Sequence, residues 1–531
     1  MRHFLGVDGA PMVAAPRTMR AAAAAYAGAD RQSPELQDYR PSYGSADGDL
    51  LPERRDLVAG ARDHGRNDGW ITGGVQRLVD SVLGAAIRVQ SRPDHRALGI
   101  SVEEAHELGR QIETAYKRYA NHPGRWADAT RQTNLAGVFG RAFRHRVVDG
   151  DSLGVVQWRE GGSRYSTCLH VIDPDRLCNT NDGPDTDILR AGVELDADGA
   201  AAHYHVRRAH PGDALFASTA LDAWTWDRLP RETPWGRPIV IHDYAVERAG
   251  QHRGKPPLAA VIDKLRMIGK ASNLELQTAV RDALMGAFIT SPYDPEMVES
   301  RLGDQLSQYQ TDRLSFHERS RIKMNGLNVP VLFPGEQPVL LAPTRPNSGF
   351  PGFLQAFLRN IATALGLSYE QLSQDWSGVN YSSARAALLE VWRGFAARRE
   401  EFVQGFILPF FSAWLEEALD IGDVVPPRGC ASFWDEPAGW LNSTWIGPGR
   451  GWVDPEKEAK AAVLRLQAGL STLERECAEQ GLDYEEVLYQ RKRELDLFKS
   501  LGLPVPSWGE VSQLMGAASY PSSSAPAETA D

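Results

Sequence analysis

The sequence predicts an α+β protein, mainly helical, spread over about three domains. Three observations predict it. Apolar residues recur at helical spacing through residues 51–145 and again from residue 350 onward. Short alternating runs bounded by turn residues are confined to residues 147–241. The chain has 531 residues, long enough for several cores.

The N-terminal residues 1–50 are rich in Ala, Gly, Ser, Asp and Pro and show weak periodicity, so they are expected to be flexible or ordered only against neighbouring subunits. Helices follow at Leu51–His64, Gly73–Leu83, Ser101–Ala120 and Thr130–Val147, with Ser101 and Glu104 forming a capping box. VVDGDSLGVVQWR reads as two strands joined by a Gly-rich turn. TCLHVIDPDRL, AAHYHVRRA and RPIVIHDY add further strands.

Pro256 and Pro257 open a long helix through about Phe288, marked by Leu258, Ile262, Leu265, Leu276, Val280 and Leu284. Its thirty or so residues span roughly 45 Å, more than most globular domains need. Residues 289–345 read as a small α/β insertion: a strand at Phe288–Thr290, a helix at Pro295–Tyr309, then extended runs in LNVPVLFPGEQPVLLAP. Phe350–Leu365 is the next helix.

A polar loop at 368–383 leads into a helix carrying Leu388, Trp392, Phe395, Phe402, Phe406, Phe410 and Trp414 on one face, a pattern that reads as a buried core. Asn380 or Ser382 is the expected N-cap, and Pro409 is expected to kink the helix without ending it. A Pro-, Gly- and Trp-rich connector after Gly422 precedes helices at Asp454–Ala468, Thr472–Gln480 and Tyr484–Ser500. The last residues, AASYPSSSAPAETAD, read as disordered.

Composition narrows the function. Hydrophobic residues make 42% and charged residues 24%, an ordinary folded chain, and the net charge of −11 argues against a general nucleic-acid gripper. It does not argue against a conduit, whose wall should avoid tight phosphate neutralisation. Fourteen Trp suit cores and subunit interfaces. Cys168, Cys178, Cys430 and Cys477 fit neither a zinc pattern nor a disulfide framework and read as free thiols in a reducing cytoplasm. No apolar run reaches the eighteen or so residues of a membrane span, and the Ala21–Ala25 run is too short for a signal-peptide core.

Enzyme-like strings were weighed against bland readings. Gly150-Asp151-Ser152-Leu153-Gly154 matches G-x-S-x-G, but VVQWR after it reads as a strand where a nucleophile elbow needs a helix, so a hairpin turn is the simpler reading. Met267-Ile268-Gly269-Lys270-Ala271 lacks the Ser or Thr of a phosphate loop and sits inside a helix. His203, His205 and His210 would gather a metal only with a further ligand, and none is evident in the sequence; Asp173-Pro174-Asp175 reads as a turn. No catalytic residue, cofactor or metal is expected.

Four segments carry a resemblance: ARDHGRNDGWITGGVQRLVDSVLGAAIRVQSRPD from Ala61, HDYAVERAGQHRGKPPLAAVIDKL from His242, ALGLSYEQLSQDWSGVNYSSARAALLE from Ala364, and GWVDPEKEAKAA from Gly451. In this order, over roughly residues 50–505, the chain resembles the portal proteins of lambda-type tailed phages. The resemblance implies a portal fold assembling into a cyclic, dodecameric ring. Residues 1–50 would be a flexible segment and 51–255 the wing. Residues 256–288 would be the outgoing stem helix, 289–345 the clip and 346–367 the returning stem helix. Residues 368–383 would be the tunnel loop, 384–421 a long wing helix, 422–515 crown-like helices and 516–531 a disordered tail.

It also implies roles. Glu370, Gln371, Asp375, Trp376 and Asn380 of the tunnel loop would line the DNA channel, and Lys264, Lys270 and Arg281 would face the stem lumen. Arg313, Arg319, Arg321 and Lys323 in the clip would meet the packaging motor or an adaptor, where a solvated charged face is the simpler reading. The implied partners are double-stranded phage DNA, the terminase large subunit, a head–tail adaptor, and the major capsid and scaffold proteins, with no membrane. The implied place is the capsid portal vertex of the virion, after assembly in the host cytoplasm. The alternatives are another head–tail connector or minor capsid protein without long stem helices, and a serine hydrolase using Ser152.

Overall fold

Asp68 closes one helix and opens the next: its backbone N–H bonds His64 O, and its carboxylate accepts from Trp70 N and Ile71 N. This computed structural model describes residues 28, 30, 33–161, 163–215, 221–284, 315–316, 321–324, 327–330, 349–378, 381–450 and 454–504. Helices α1 (Ala46–Asn67) and α2 (Gly69–Val82) both begin earlier than their apolar spacing suggests, because the caps Ser45 and Asp68 lie outside that spacing. Strand β1 (Arg88–Ser91) and helices α3 (His95–Leu98) and α4 (Val102–Ala120) follow, the last with the expected Ser101–Glu104 capping box. Helix α5 (Leu135–Val148) starts five residues later than expected. The Asp128 carboxylate draws in Thr130 N, Gln132 N and Thr133 N, which holds that stretch as a turn.

The expected pair of strands at 147–159 is a helix end followed by one strand. Val147 and Val148 finish α5, Gly150 turns the corner at φ +90°, and β2 runs Asp151–Trp158. Strands β3 (Thr167–Ile172), β4 (Leu189–Arg190), β5 (Val193–Leu195), β6 (Ala201–Arg207), β7 (Trp226–Pro230) and β8 (Val240–Tyr244) make two antiparallel sheets, ordered β3-β2-β8 and β4-β5-β6-β7. In the first, Ser152 pairs with Asp243 and Leu153 with both His242 and Ile172.

A short 3₁₀ turn, Pro257–Ala260, leads into α6 (Ile262–Leu284). Of the insertion, a hairpin of β9 (Arg321–Met324) and β10 (Leu327–Pro330) belongs to the described residues; the strand expected at 288–290 and the helix at 295–309 lie outside them. Helix α7 covers Phe350–Leu365 as expected. Residues 368–383 are not wholly loop: α8 (Tyr369–Ser373) forms there on a Ser368–Gln371 capping box, and α9 (Tyr381–Phe402) begins before residue 383. Ser382 therefore lies inside α9 and is not its cap, while Asn380 lies outside the described residues.

The aromatic helix continues through a π-helical turn at Val403–Ile407 into α10 (Leu408–Asp420). The widening sits just ahead of Pro409, which has no N–H to return to that turn. Phe402, Phe406, Phe410 and Trp414 recur every fourth residue, a spacing that drifts roughly 40° per step in a pure α-helix. The extra residue in the π turn takes up that drift, and all four rings are buried in one core. Phe402 stacks on Phe406 at 5.2 Å and Tyr116 meets Trp414 edge-on at 4.9 Å.

Helix α11 (Pro437–Leu441) and strand β11 (Ser443–Ile446) occupy the connector, and β11 pairs with β1 across most of the chain length. Helices α12 (Pro455–Gln467), α13 (Leu473–Glu479) and α14 (Tyr484–Leu501) then match expectation, capped by Asp454, Thr472 and Asp483; none of the three has a buried residue. All four cysteines are unpaired thiols, and no described helix is long and apolar enough to cross a membrane.

Candidate functional site

Helices α6 and α7 form an antiparallel pair. Lys264 Nζ donates to Asn360 Oδ1 at 3.1 Å near one end, while Ala271, Leu274 and Thr278 face Phe350 and Phe353 farther out. Met267, Leu274, Leu276 and Phe353 remain exposed, an apolar surface the pair does not cover by itself. Lys264 thus turns toward α7. Lys270, exposed, lies roughly 120° away around α6. Of Arg281 only the helical backbone belongs to the described residues.

The turn after α7 is fixed at its base. Gly366 adopts φ +69°, and a Cβ there would come 2.6 Å from Arg398 Nη2. Arg398 Nη1 donates to Leu365 O at 2.6 Å, which ties this turn to α9. Leu365, Leu367 and Leu372 are buried over Gly74 of α2, where a Cβ would meet Leu372 Cδ1 at 2.8 Å. Gln371 is committed to the α8 cap, accepting from Ser368 N at 3.1 Å. Glu370 is half-buried beside it and makes no ion pair among the described residues.

Past Gln374, held at φ +61°, the tip is exposed. Asp375 accepts from Ser377 N at 3.0 Å and Ser377 Oγ at 2.6 Å, and these bonds hold its carboxyl below the usual range. Trp376 stands 45% exposed at the tip. A buried hydrophobic base therefore carries an anionic, aromatic end. Arg321 and Lys323 lie two apart on β9, described by backbone only, and Arg313 and Arg319 lie outside the described residues.

Ser152 is buried in β2, its Oγ without a hydrogen-bond partner and with no access to solvent. The residues before it are a helix and those after it a strand, the reverse of an elbow, and Gly150 is a helix–strand corner where a hairpin was expected. His203 and His205 do share a strand face, and contrary to the sequence reading a carboxylate is placed beside them. Glu194 lies 2.9 Å from His205 Nε2 and 3.7 Å from His203 Nδ1. Arg228 grips that carboxylate at 2.7 and 2.8 Å, and this guanidinium leads the groups that hold Glu194 down to about 2. Asp173, Asp175 and His210 are close enough to share a cation, yet Arg62 already spans the two carboxylates at 2.8 and 2.6 Å.

What the sequence reading missed is a buried ionic hub on Asp151. Arg253 Nε donates to its Oδ2 at 2.6 Å, His242 Nε2 lies 3.1 Å from the same oxygen, and Arg54 reaches Oδ1 from α1. Burial opposes the charge, but the two guanidinium groups hold Asp151 well below the carboxylate range. Arg62 continues the hub from α1 to Asp149 at 2.7 Å. Arg62, His242 and Arg253 fall inside the quoted segments at Ala61 and His242, the signal that could have found them.

Comparison with known proteins agrees with these segments. The family described as phage portal protein, lambda family, matches residues 32–399. Portal protein B of Escherichia phage lambda is 33% identical over 486 residues, covering 89% of this chain and 90% of that protein. The portal protein of Escherichia phage N15 is 33% identical over 485 residues, with the same two coverages. Among solved structures, a chain from the neck of an empty gene transfer agent particle aligns with 84% of this chain and 96% of its own, at TM-score 0.39 and 16% identity. On the breadth of the family match and the two phage relatives, the chain belongs to the lambda family of phage portal proteins.

Proposed function

We propose that copies of this chain close into a dodecameric ring at one capsid vertex of the virion, forming the channel through which phage DNA is packaged and later ejected. The terminase large subunit would dock on the clip around Arg313, Arg319, Arg321 and Lys323, and a head–tail adaptor would later take its place. Capsid and scaffold proteins would receive the ring during assembly in the host cytoplasm. The observation that carries this reading is the α6–α7 pair, with its uncovered apolar surface, leading into a loop anchored on α2 whose tip is free. Neighbouring copies would cover Met267, Leu276 and Phe353, and rotation by heterologous contacts closes a ring.

In this reading Glu370, Asp375 and Trp376 meet passing DNA by sterics and weak polar contact, with Asn380 and Gln371 in the same loop. Lys264, Lys270 and Arg281 belong to the stem wall. Sparse positive charge suits sliding, since each neutralised phosphate strengthens holding. The wall carries no chemistry; the terminase supplies the ATP hydrolysis.

Native mass spectrometry with negative-stain images of one sample tests it. A closed ring of about a dozen copies with a central hole is expected. A chain that stays monomeric even with scaffold and capsid proteins would overturn it. Deleting residues 293–345 separates a portal from a connector without stem helices: motor docking should vanish while the two β-sheets still fold.

A further inference from the structure

Residues Gln37 to Tyr43 are exposed throughout, with Tyr39 at 62% and Tyr43 at 107% of full exposure. The root of this arm is fastened. Ser42 Oγ donates to Asp49 Oδ1 at 2.6 Å, and Arg248 donates to Asp49 Oδ2 and to Gly44 O, each at 2.9 Å. Buried Asp47 accepts from His252 N at 3.0 Å and lies 2.6 Å from its Nδ1.

His252 is also part of the rim of a cavity of about 720 Å³, large enough for a drug-sized ligand or a short peptide segment. Tyr204, Tyr244, Leu408 and Pro409 form its walls, and Arg231 and Glu232 stand there without an ion pair among the described residues. Each arm therefore leaves from beside a cavity it does not fill, since its own Tyr43 stands clear of the body.

We propose that residues Tyr39–Tyr43 of one copy occupy this cavity in a second copy of the chain. The partner's tyrosine rings would lie against Tyr204, Tyr244 and Pro409, and Arg40 and Asp38 would answer Glu232 and Arg231. Five extended residues reach about 17 Å, enough to cross to a neighbour. Donor and acceptor surfaces differ, so the contact is heterologous and repeats around a ring. The proposal rests on the ring reading for which copy supplies the arm.

The test places Pro41→Cys in one tagged copy and Ala200→Cys in another, co-expresses them, and treats the sample with a short bis-maleimide; the parent chain controls for the four native thiols. Covalent dimers absent from the parent and from either variant alone are expected, and a ladder of higher oligomers when one chain carries both changes. Cross-linking confined within single chains of the double variant would overturn the proposal. Native masses of the same samples keep the two readings apart. Closed rings without the cross-link overturn the arm contact and leave the ring, whereas monomers without it overturn both.

Discussion

Arg253 buries its guanidinium against Asp151, Nε 2.6 Å from Oδ2, and gives its remaining donors to the carbonyls of Pro174, Leu177 and Ala191 at 2.7–2.9 Å. One side chain thus satisfies a carboxylate and three backbone acceptors that no water reaches. Arg253→Leu should destabilise the chain by about 3–5 kcal/mol, because it strands buried polar groups. Urea denaturation of the unassembled chain checks this, and a loss below about 1 kcal/mol would contradict the hub.

Ser152→Ala should leave stability unchanged or raise it, by up to about 1 kcal/mol, since the buried Oγ has no partner to lose. Gly150→Ala at φ +90°, with a Cβ 2.7 Å from Gly254 C, should instead cost about 2 kcal/mol or more. The same denaturation series reads both. A serine essential for folding or activity would reverse the first result.

Asp243 is buried, and that burial raises its pKa to about 6 although Arg146 Nη1 lies 3.2 Å away. An acid whose pKa rises on folding holds its proton more firmly in the folded chain. Its contribution is therefore favourable at low pH and is lost as pH climbs from about 4 through about 6, on the order of 2–3 kcal/mol in all. Asp243→Asn should flatten the melting temperature over that window; an unchanged slope would place the titration elsewhere.

Trp376→Ala should change stability by less than about 0.5 kcal/mol, because the ring stands at an exposed tip, yet lower packaged DNA per capsid several-fold. Gly366→Ala should lower both, since it strains the base at φ +69°. Equal packaging by the Trp376 variant and wild type would remove the tip from the channel.

Helix α14 is held to the body by exposed charge. Arg88 lies 3.2 Å from Glu486, His106 lies 2.8 Å from Glu485, and Lys117 also reaches Glu486. Raising salt from about 0.1 M to about 1 M shortens the screening length from roughly 10 Å to 3 Å. Amide exchange in α14 of the unassembled chain should quicken accordingly while α4 stays protected. Equal change in both helices would argue against an ionic attachment.

How much was legible follows from where each signal lay. Helix α7 was readable to the residue because its apolar period ends at Gly366, and α12, α13 and α14 because Asp454, Thr472 and Asp483 announce them. The α8 turn was equally written, in Ser368 and Gln371, but was absorbed into a loop. The pairing of β1 with β11 was not readable, since four-residue strands so far apart carry no local sign of each other. Nor was the hub. Arg54, Arg62, Asp151 and Arg253 are scattered charges until the fold gathers them, and a lone Asp gives no hint that it will be buried. At the candidate site, the loop's anionic and aromatic tip was visible in residue types, whereas the turn of Lys264 toward α7 depends on packing.

The wide turn at Val403–Ile407 acts as a phase setting for everything after it. Removing one residue there would rotate the whole of α10 by about 100°, swinging Phe410 and Trp414 off the core and polar neighbours onto it. Exchanging one apolar residue for another in the same five positions moves nothing in angle. Segment length, more than side-chain identity, is the quantity held fixed at this point, and an insertion or deletion here would be read by the molecule as a change of direction.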